Sequence, residues 1–308
     1  MNKVCILGSM NMDLVIGVNN TPRVGETILA NSFEKIPGGK GANQAVAAKR
    51  CGAEVYMISK IGNDENGVIL KDKLIEDNIN VDYVFEDDVE STGMAFITVN
   101  KEGDNSIIVV SGSNKKLAEK EINIAEEAIK KSNIIIAQLE TSEEMTLKAF
   151  VKAKDFGKIT ILNPAPAKKI DKELLKYIDI IIPNETEAEV LTGVKINTVE
   201  DAKKASEVFL ESGIKYAIIT LGAKGAVVIG KDFTELVPAF KVEAIDTTAA
   251  GDSFIGGFSS KLDIKNISKE TLINAVVFGN KVSSIAVQRK GAQQSIPYLE
   301  EVLKFYKD

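Results

Sequence analysis

The chain has 308 residues, is 44% hydrophobic and 27% charged, and carries a formal net charge of −6 without a single histidine. These values fit a globular protein with one large domain or a domain and an appendage. The negative charge argues against a nucleic acid or an anionic membrane as a partner. Without histidine, acid–base chemistry must use carboxylates, Lys, Tyr or Cys. Two cysteines without metal spacing, no secretory leader pattern and no apolar run of ~20 residues predict a cytoplasmic protein.

Strand and helix patterns alternate along most of the chain. Short apolar runs predict buried strands at residues 4–8, 55–58, 134–139, 159–162 and 178–182. Helices are predicted at 42–51, at 67–77 and up to residue 156, and the chain turns mainly helical after Ile245. Strands that are apolar on both faces and separated by helices indicate a parallel sheet covered on both sides.

Two segments break this alternation. Residues 14–36 have no helical period and contain turn signals, and residues 93–110 contain two alternating runs around Lys101-Glu102-Gly103-Asp104, the pattern of a hairpin. We predict that 14–36 and 93–110 form a small antiparallel sheet, the β lid, against a body made of 1–13, 37–92 and 111–308. The lid could cover a site, form a dimer surface or do both. The alternative is an inert edge extension.

Neither standard nucleotide motif is complete. Residues 225–231 approach a P-loop, but Asp232 stands at the Ser/Thr position and the four intervening residues are apolar, which predicts a strand and a turn. Residues 39–44 approach a dinucleotide fingerprint, but Gln44 stands where the last glycine belongs. A nucleotide would have to be bound by another design.

The segment Asp246-Thr-Thr-Ala-Ala-Gly-Asp252 offers that design. It lies before the apolar run 254–258, so it is expected to open a helix, and its small residues leave backbone N–H groups free to bind an anion at the helix N-terminus. An Asp in a first helical turn is common for electrostatic reasons alone. Asp252 beside an anion pocket is nevertheless the pairing that phosphoryl transfer to an alcohol requires.

Three motifs carry a resemblance to a known family. Asp246 to Asp252 resembles the D-T-x-[AG]-A-G-D signature of the PfkB carbohydrate kinases, and Gly38-Gly-Lys-Gly-Ala-Asn-Gln-Ala45 resembles their N-terminal signature in its ribokinase form. Asn184-Glu-Thr-Glu187 matches their N-x-x-E motif. The resemblance covers residues 8–297. It implies a ribokinase-like, doubly wound α/β body with a mostly parallel sheet and a small β lid that can form a homodimer interface.

The resemblance also implies an activity, the ATP-dependent phosphorylation of D-ribose at O5. Asn11 is the main discriminator among related sugars, because a 2-hydroxyl needs a polar partner. The alternatives are another sugar or nucleoside kinase of the family, such as a deoxyribokinase, fructokinase or adenosine kinase. A sugar- or nucleotide-binding regulator that has lost catalysis is the alternative from a different class.

Site residues follow from the resemblance where the motifs match. Asp252 would be the base, with amides of Gly251 and Ala250 in the anion hole. The ATP side would be formed by Asn184 and Glu187, which organise Mg²⁺ through water, and by Thr220, Gly222, Gly225, Gly251 and Asn280. The alternative for Glu187 is a helix-capping acid, and the alternative for 220–225 is a hairpin turn.

The sugar and a monovalent cation have their own expected residues. Ribose would be bound by Asn11, Asp13, Gly39, Lys40, Asn43 and Glu140, together with Asp252. K⁺ would be bound by carbonyls of Thr248, Ala286, Arg289 and Gly291 and by side chains of Asp246 and Ser295. Without the family, residues 286–295 resemble an ordinary turn after a helix.

Overall fold

The computed structural model describes residues 1–307. Its strands are β1 (Lys3–Leu7), β2 (Asn11–Gly17), β3 (Ser32–Gly38), β4 (Glu54–Gly62), β5 (Asn80–Asp87), β6 (Gly93–Val99), β7 (Asn105–Val110), β8 (Ile134–Ala137), β9 (Ile159–Leu162), β10 (Ile180–Ile181), β11 (Tyr216–Thr220), β12 (Ala226–Gly230) and β13 (Phe233–Val237). Its α-helices are α1 (Lys40–Arg50), α2 (Glu65–Glu76), α3 (Glu119–Ile124), α4 (Glu126–Lys131), α5 (Glu143–Asp155), α6 (Lys172–Leu175), α7 (Glu185–Thr192), α8 (Val199–Glu211), α9 (Ala250–Lys261), α10 (Lys269–Ala286) and α11 (Leu299–Tyr306).

A nine-stranded sheet forms the body, with the order β13-β12-β11-β10-β9-β8-β1-β4-β5. The strands from β11 to β5 are parallel, and β12 and β13 add an antiparallel edge. The predicted mostly parallel sheet with helices on both sides is therefore confirmed. The near P-loop at 225–231 is the strand β12 followed by a turn, as its apolar residues predict.

The core lies on both faces of this sheet because successive side chains of a strand point in opposite directions. Val4 and Ile6 belong to the core cluster that also contains residues of α1, α9 and α10, whereas Cys5 and Leu7 belong to the cluster on the face of α3 to α6. Both sets are fully buried. None of the helices in residues 1–307 is long and apolar enough to cross a membrane.

Helix α9 packs directly against α1 and α10 because glycines remove the side chains between them. A Cβ atom at Gly256 would lie 2.3 Å from Cβ of Ala47 on α1, and one at Gly257 would lie 2.8 Å from Cγ2 of Val282 on α10. This close packing fixes the N-terminus of α9 relative to the N-terminus of α1.

A second, four-stranded sheet has the order β3-β2-β6-β7 and contains the predicted β lid. The antiparallel pairing is confirmed for β2 with β3 and for the hairpin β6–β7. The central pair, β2 with β6, is parallel, which corrects the expectation of a wholly antiparallel lid. The reason is that β1 and β5 run in the same direction, so the chain leaves the same edge of the body twice and continues into β2 and β6 side by side.

Candidate active site

The three sequence motifs meet at the carboxyl edge of the parallel strands. Residues 38–45 contain the start of α1, Asn184 follows β10, and residues 246–252 lead into α9. In open α/β sheets, ligands bind at this edge, where the loops after the strands converge. The fold thus brings Asn43 and Asp252 into contact, although they are 209 positions apart in the sequence.

The N-terminus of α9 has the backbone expected of an anion pocket. Ala249, its N-cap residue, is one of three non-glycine residues with positive φ in residues 1–307, at φ 57°. A left-handed alanine is strained and persists only where the surrounding structure holds it. A Cβ atom at Gly251 would meet no atom within 4 Å, so this turn faces open space. The N–H group of Gly251 therefore faces a space large enough for a phosphoryl group. The predicted contribution of Ala250 is corrected, because its N–H donates to Thr247 O at 3.1 Å.

Asp252 is buried one turn inside this helix, and both oxygens of its carboxylate accept hydrogen bonds from α1. Asn43 donates through Nδ2 to Oδ2 at 3.0 Å, and Gln44 donates through Nε2 to Oδ1 at 2.9 Å. These two N–H donors hold the plane of the carboxylate. The carboxylate is thereby prepared to accept a proton from a hydroxyl group.

Glycines bring the backbone of the N-terminal motif close to the start of β2. A Cβ atom at Gly39, which has φ 91°, would lie 2.7 Å from N of Asn11. Asn11 is buried, and its Oδ1 accepts from Nδ2 of Asn114 at 2.8 Å. Since the oxygen of Asn11 is engaged, its Nδ2 is the group that can donate to a ligand.

Acidic groups surround a single lysine at the centre of the site. Burial raises the pKa of Asp13 to about 7, with further increases from the charges of Glu140 and Asp252. Burial alone would lower the pKa of Lys40, but four carboxylates outweigh it and raise that pKa. They are Asp252, Glu140, Glu187 and Asp13. Lys40 therefore stays charged and neutralises part of this cluster.

Glu140 follows β8 at the same edge, as the sequence predicts. Its Oε2 accepts from Oγ of the fully buried Ser9 and from N of Lys40, the latter at 3.2 Å. These two donors fix the carboxylate beside the loop after β1. Glu140 is thus a positioned acceptor, not merely a solvated acid at a strand end.

Two cavities meet at these residues. The larger has a volume of about 740 Å³ and is lined by the predicted sugar residues, all six of them, and by apolar side chains of the small sheet. The smaller has a volume of about 200 Å³ and is lined by Asn184, Glu187, Thr220 and the first residues of α9. Lys40, Ala249 and Asp252 line both. A group held in one cavity can therefore reach a group held in the other at Asp252.

Glu187 has two roles open to it. It forms a capping box with Asn184: Asn184 Oδ1 accepts from Glu187 N at 2.8 Å, and Glu187 Oε2 accepts from Asn184 N at 2.9 Å. The capping alternative is therefore present in the structure. Capping engages only Oε2 of Glu187, so Oε1 stays available to a ligand in the smaller cavity, which Glu187 lines. Burial raises the pKa of the Glu187 carboxyl.

The remaining predicted nucleotide residues are divided between two places. Thr220 lines the smaller cavity. Gly225 and Asn280 instead meet at the segment after β13: a Cβ atom at Gly225 would lie 2.1 Å from Val237 O, and Asn280 Nδ2 donates to Pro238 O at 3.1 Å. Residues 220–225 form the turn between β11 and β12, with Gly222 exposed at φ 53°. An adenine contact for Asn280 stays a prediction.

The proposed cation residues converge on a loop joined by hydrogen bonds. Asp246 accepts from Thr248 N at 2.9 Å and from Gly291 N at 2.8 Å, so its carboxylate links the segment before α9 to the segment after α10. Burial alone would raise the pKa of Asp246, but these hydrogen bonds and the charge of Lys290 lower it. Ala286 and Ser295 are buried beside this connection, and the Arg289 guanidinium bonds Glu301 at 2.6 Å.

Several polar residues of the site were not predicted. Gln44, Gln138 and Asn163 form a buried amide cluster that contacts Asp252, and Ser9 and Asn114 support Glu140 and Asn11. A polar residue ending an apolar strand pattern was the available signal for Gln138, and Asn163 follows β9 in the same way.

A buried carboxylate next to a helix N-terminus, between two cavities, is the arrangement that transfer of a phosphoryl group to a hydroxyl requires. The comparisons with known proteins agree. The model described as "pfkB family carbohydrate kinase" matches residues 1–299, and the chain belongs to this family.

Relatives and solved structures match over nearly the full chain. A ribokinase of Staphylococcus aureus is 46% identical over 306 residues, which is 98% of each chain. A deoxyribokinase of Salmonella typhi is 37% identical over 303 residues, 97% of this chain and 96% of its own. The structure of Arabidopsis thaliana ribokinase complexed with ribose and ATP superposes with a TM-score of 0.91 at 30% identity, covering 100% of this chain and 99% of that one. The predicted family and fold are thereby confirmed.

Proposed function

We propose that this chain phosphorylates D-ribose at O5 with ATP, giving D-ribose 5-phosphate and ADP. The observation that carries the proposal is the position of Asp252, which lines both cavities and accepts two hydrogen bonds from α1. The matches at 46% and 30% identity to proteins named ribokinase support ribose over other sugars. Asn11 supports it as well, because it lines the larger cavity and its Oδ1 is already engaged by Asn114, which leaves Nδ2 to donate to a sugar oxygen.

In this reaction, ribose occupies the larger cavity and the triphosphate enters the smaller one. Asp13 and Glu140 accept hydrogen bonds from sugar hydroxyls, and Asn43, whose buried Oδ1 has no partner within residues 1–307, accepts another. Asp252 takes the proton of O5 as this oxygen attacks the γ-phosphorus. The N–H group of Gly251 and the charge of Lys40 stabilise the negative charge on the transferring group.

The residues present fit a Mg²⁺ ion that is bound mainly by the substrate. Within residues 1–307 there is no cluster of three or more acidic, Cys or His side chains that could hold a metal. Mg²⁺ in kinases usually keeps several waters and binds phosphate oxygens with one or two carboxylates. Glu187, with Oε1 toward the smaller cavity, and Asn184 beside it would hold those waters. When bound, the ion neutralises charge on the phosphates.

We further propose that K⁺ binds in the loop held by Asp246. Its donors would be the side chains of Asp246 and Ser295 and carbonyl groups of Thr248, Ala286, Arg289 and Gly291. Carbonyl oxygens with one carboxylate suit a large, weakly hydrated cation better than a small one. The hydrogen bond between Asp246 and Thr248 links the loop to the residue before Ala249.

The small sheet is proposed to act as a lid and as a homodimer interface. It supplies the apolar wall of the larger cavity, and its outer strand β7 exposes Ile107, Ile108 and Val109, each with more than half of its surface accessible. Charged substitution of Ile108 would then separate a dimer into monomers, which light scattering can measure. The cytoplasm remains the proposed location, in keeping with the free cysteines Cys5 and Cys51.

One assay distinguishes the alternatives. ADP release coupled to NADH oxidation is measured with ribose, 2-deoxyribose, fructose and adenosine as acceptors. A kcat/KM for ribose at least about tenfold above the others supports the proposal, since one specific hydrogen bond to a substrate hydroxyl supplies that much. A preference for another acceptor reassigns the substrate within the family. No ADP release with any acceptor would identify a binding protein instead.

A further inference from the structure

A cluster of three buried amide side chains lies behind Asp252, and of the three only Asn163 lines a cavity, the smaller one. Gln44 on α1, Gln138 after β8 and Asn163 after β9 are all buried. Gln44 Nε2 donates to Asp252 Oδ1 at 2.9 Å and to Asn163 Oδ1 at 3.1 Å. Gln44 Oε1 accepts from Gln138 Nε2 at 2.7 Å. Gln44 lines neither cavity, so its side chain contacts protein groups only.

This arrangement permits only one orientation of the Gln44 amide. If the amide were reversed, its oxygen would face the carboxylate of Asp252 and its nitrogen would face the nitrogen of Gln138. Both contacts would be repulsive and buried, which is costly at low dielectric. Gln138 therefore supports the orientation of Gln44 that Asp252 and Asn163 require, although it does not touch Asp252.

The cluster is retained at a cost in stability. Gln138 Oε1 is buried and has no hydrogen-bond partner within residues 1–307, and a buried acceptor without a partner destabilises a fold. The Gln138 side chain also requires a glycine directly after β1, because a Cβ atom at Gly8 would lie 2.3 Å from Gln138 Oε1. An apolar residue at 138 would avoid the cost, so a role for its amide accounts for its presence.

We propose that Gln44 is a positioning residue of the phosphoryl transfer: supported by Gln138, it fixes the carboxylate of Asp252 for the incoming hydroxyl. The proposal rests on the proposed function, in which Asp252 is the base. Asn43, the other donor to Asp252, also lines the sugar cavity. The two neighbours thus differ: Asn43 can influence both sugar binding and the base, whereas Gln44 contacts the base without lining the sugar cavity.

The test compares three variants with the wild type. Gln44→Leu removes the donor and is expected to lower kcat by about 10- to 100-fold, the usual effect of losing a residue that orients a reacting group, with KM for ribose within about threefold. Gln44→Glu places a second carboxylate at the position of Nε2. Since two close carboxylates resist joint ionisation, the acidic limb of the kcat–pH profile should move up by about one pH unit or more. Gln138→Leu should lower kcat less, with ribose KM unchanged.

Asn133→Leu is the matched control. Asn133 precedes β8 as Gln138 follows it, and its Oδ1 accepts from Lys3 N at 3.1 Å at the opposite edge of the sheet. This variant should lose thermal stability without any change in kcat or in the pH profile. It separates loss of a half-buried amide next to β8 from loss of orientation at Asp252.

The measurements on these variants can each support or overturn the role of Gln44. Folded Gln44→Leu with kcat within about threefold of the wild type, or an unmoved acidic limb in Gln44→Glu, would overturn the proposal. If Gln44→Leu does not fold, Gln44→Glu and Gln138→Leu give the answer. Asp252→Asn is measured in the same series: an active Asp252→Asn enzyme refutes the proposed function itself. An inactive one beside fully active Gln44 and Gln138 variants refutes only the role of Gln44.

Discussion

Replacing Asp13 by asparagine should stabilise the free protein at alkaline pH and weaken ribose binding in the same molecule. Burial, with the nearby charges of Glu140 and Asp252, raises the pKa of Asp13 from 3.8 to about 7. The substitution removes an ionisable group from this acidic cluster while it keeps the shape of the side chain. Asparagine offers one acceptor oxygen where the carboxylate offers two, so a sugar loses a charge-assisted hydrogen bond.

The size of the stability effect follows from the two pKa values. In the unfolded chain Asp13 releases its proton near 3.8, whereas in the folded protein it does so near 7. Its contribution to stability is therefore fully present below 3.8 and is lost as the pH rises toward 7. The complete loss corresponds to about 4 kcal/mol at 1.36 kcal/mol per tenfold change. The advantage of the variant over the wild type should grow by about 2 to 3 kcal/mol between about pH 5 and about pH 8.5.

Urea unfolding of the wild type and Asp13→Asn at these two pH values measures this difference. Asp72→Asn, which changes an exposed carboxylate on α2, is the control and should show no such growth. In steady-state assays, Asp13→Asn should raise KM for ribose by at least about tenfold, the value of a hydrogen bond to a charged group. A stability difference that stays constant or shrinks as the pH rises would refute the reasoning about Asp13.

Four further outcomes are expected. Asp252→Asn should lower kcat by at least about 100-fold with ATP affinity nearly intact by calorimetry, because a positioned base contributes about 10²–10⁴-fold; near-normal turnover would remove Asp252 from the mechanism. Asn11→Ala should weaken the binding of ribose more than that of 2-deoxyribose, by roughly 1–3 kcal/mol. An equal increase in KM for both sugars would show that Asn11 does not bind the 2-hydroxyl. Replacing sodium by potassium at constant ionic strength should raise kcat, and Asp246→Ala and Ser295→Ala should each reduce this increase. If the kcat of the desalted enzyme does not change with potassium, the proposed cation site is wrong. Gly39→Ala should lower the melting temperature and abolish activity, because its Cβ atom would lie 2.7 Å from N of Asn11; a normal melting temperature would contradict this.

The sequence predicts those parts of the fold that depend on local pattern. The strand at 159–162 is found at Ile159–Leu162, because a short apolar run bounded by turn residues fits no other element as well. The hairpin at 93–110 is found as Gly93–Val99 and Asn105–Val110. The parallel pairing of β2 with β6 could not be predicted locally, because it depends on where two distant strands leave the body.

In the candidate site, too, local patterns in the sequence predict some residues, and contacts between distant residues determine others. Residues 246–252 are identified within one segment, because helix start, anion pocket and base are consecutive. Gln44 bonds Gln138, which is 94 positions away in the sequence, and Asn163, which is 119 positions away. No periodicity in the sequence indicates these contacts. The roles of Asn11 and Glu140 depend likewise on partners, Asn114 and Ser9, that only the folded chain brings near.

The narrow junction between the two cavities has a consequence for how such enzymes diverge. Only Lys40, Ala249 and Asp252 line both cavities among the described residues. Side chains on β2 and β6 that surround the acceptor can therefore change without altering the groups that hold the transferring phosphoryl. A change of acceptor can therefore be confined to the wall of the larger cavity, and a relative named deoxyribokinase matches nearly the whole chain at 37% identity.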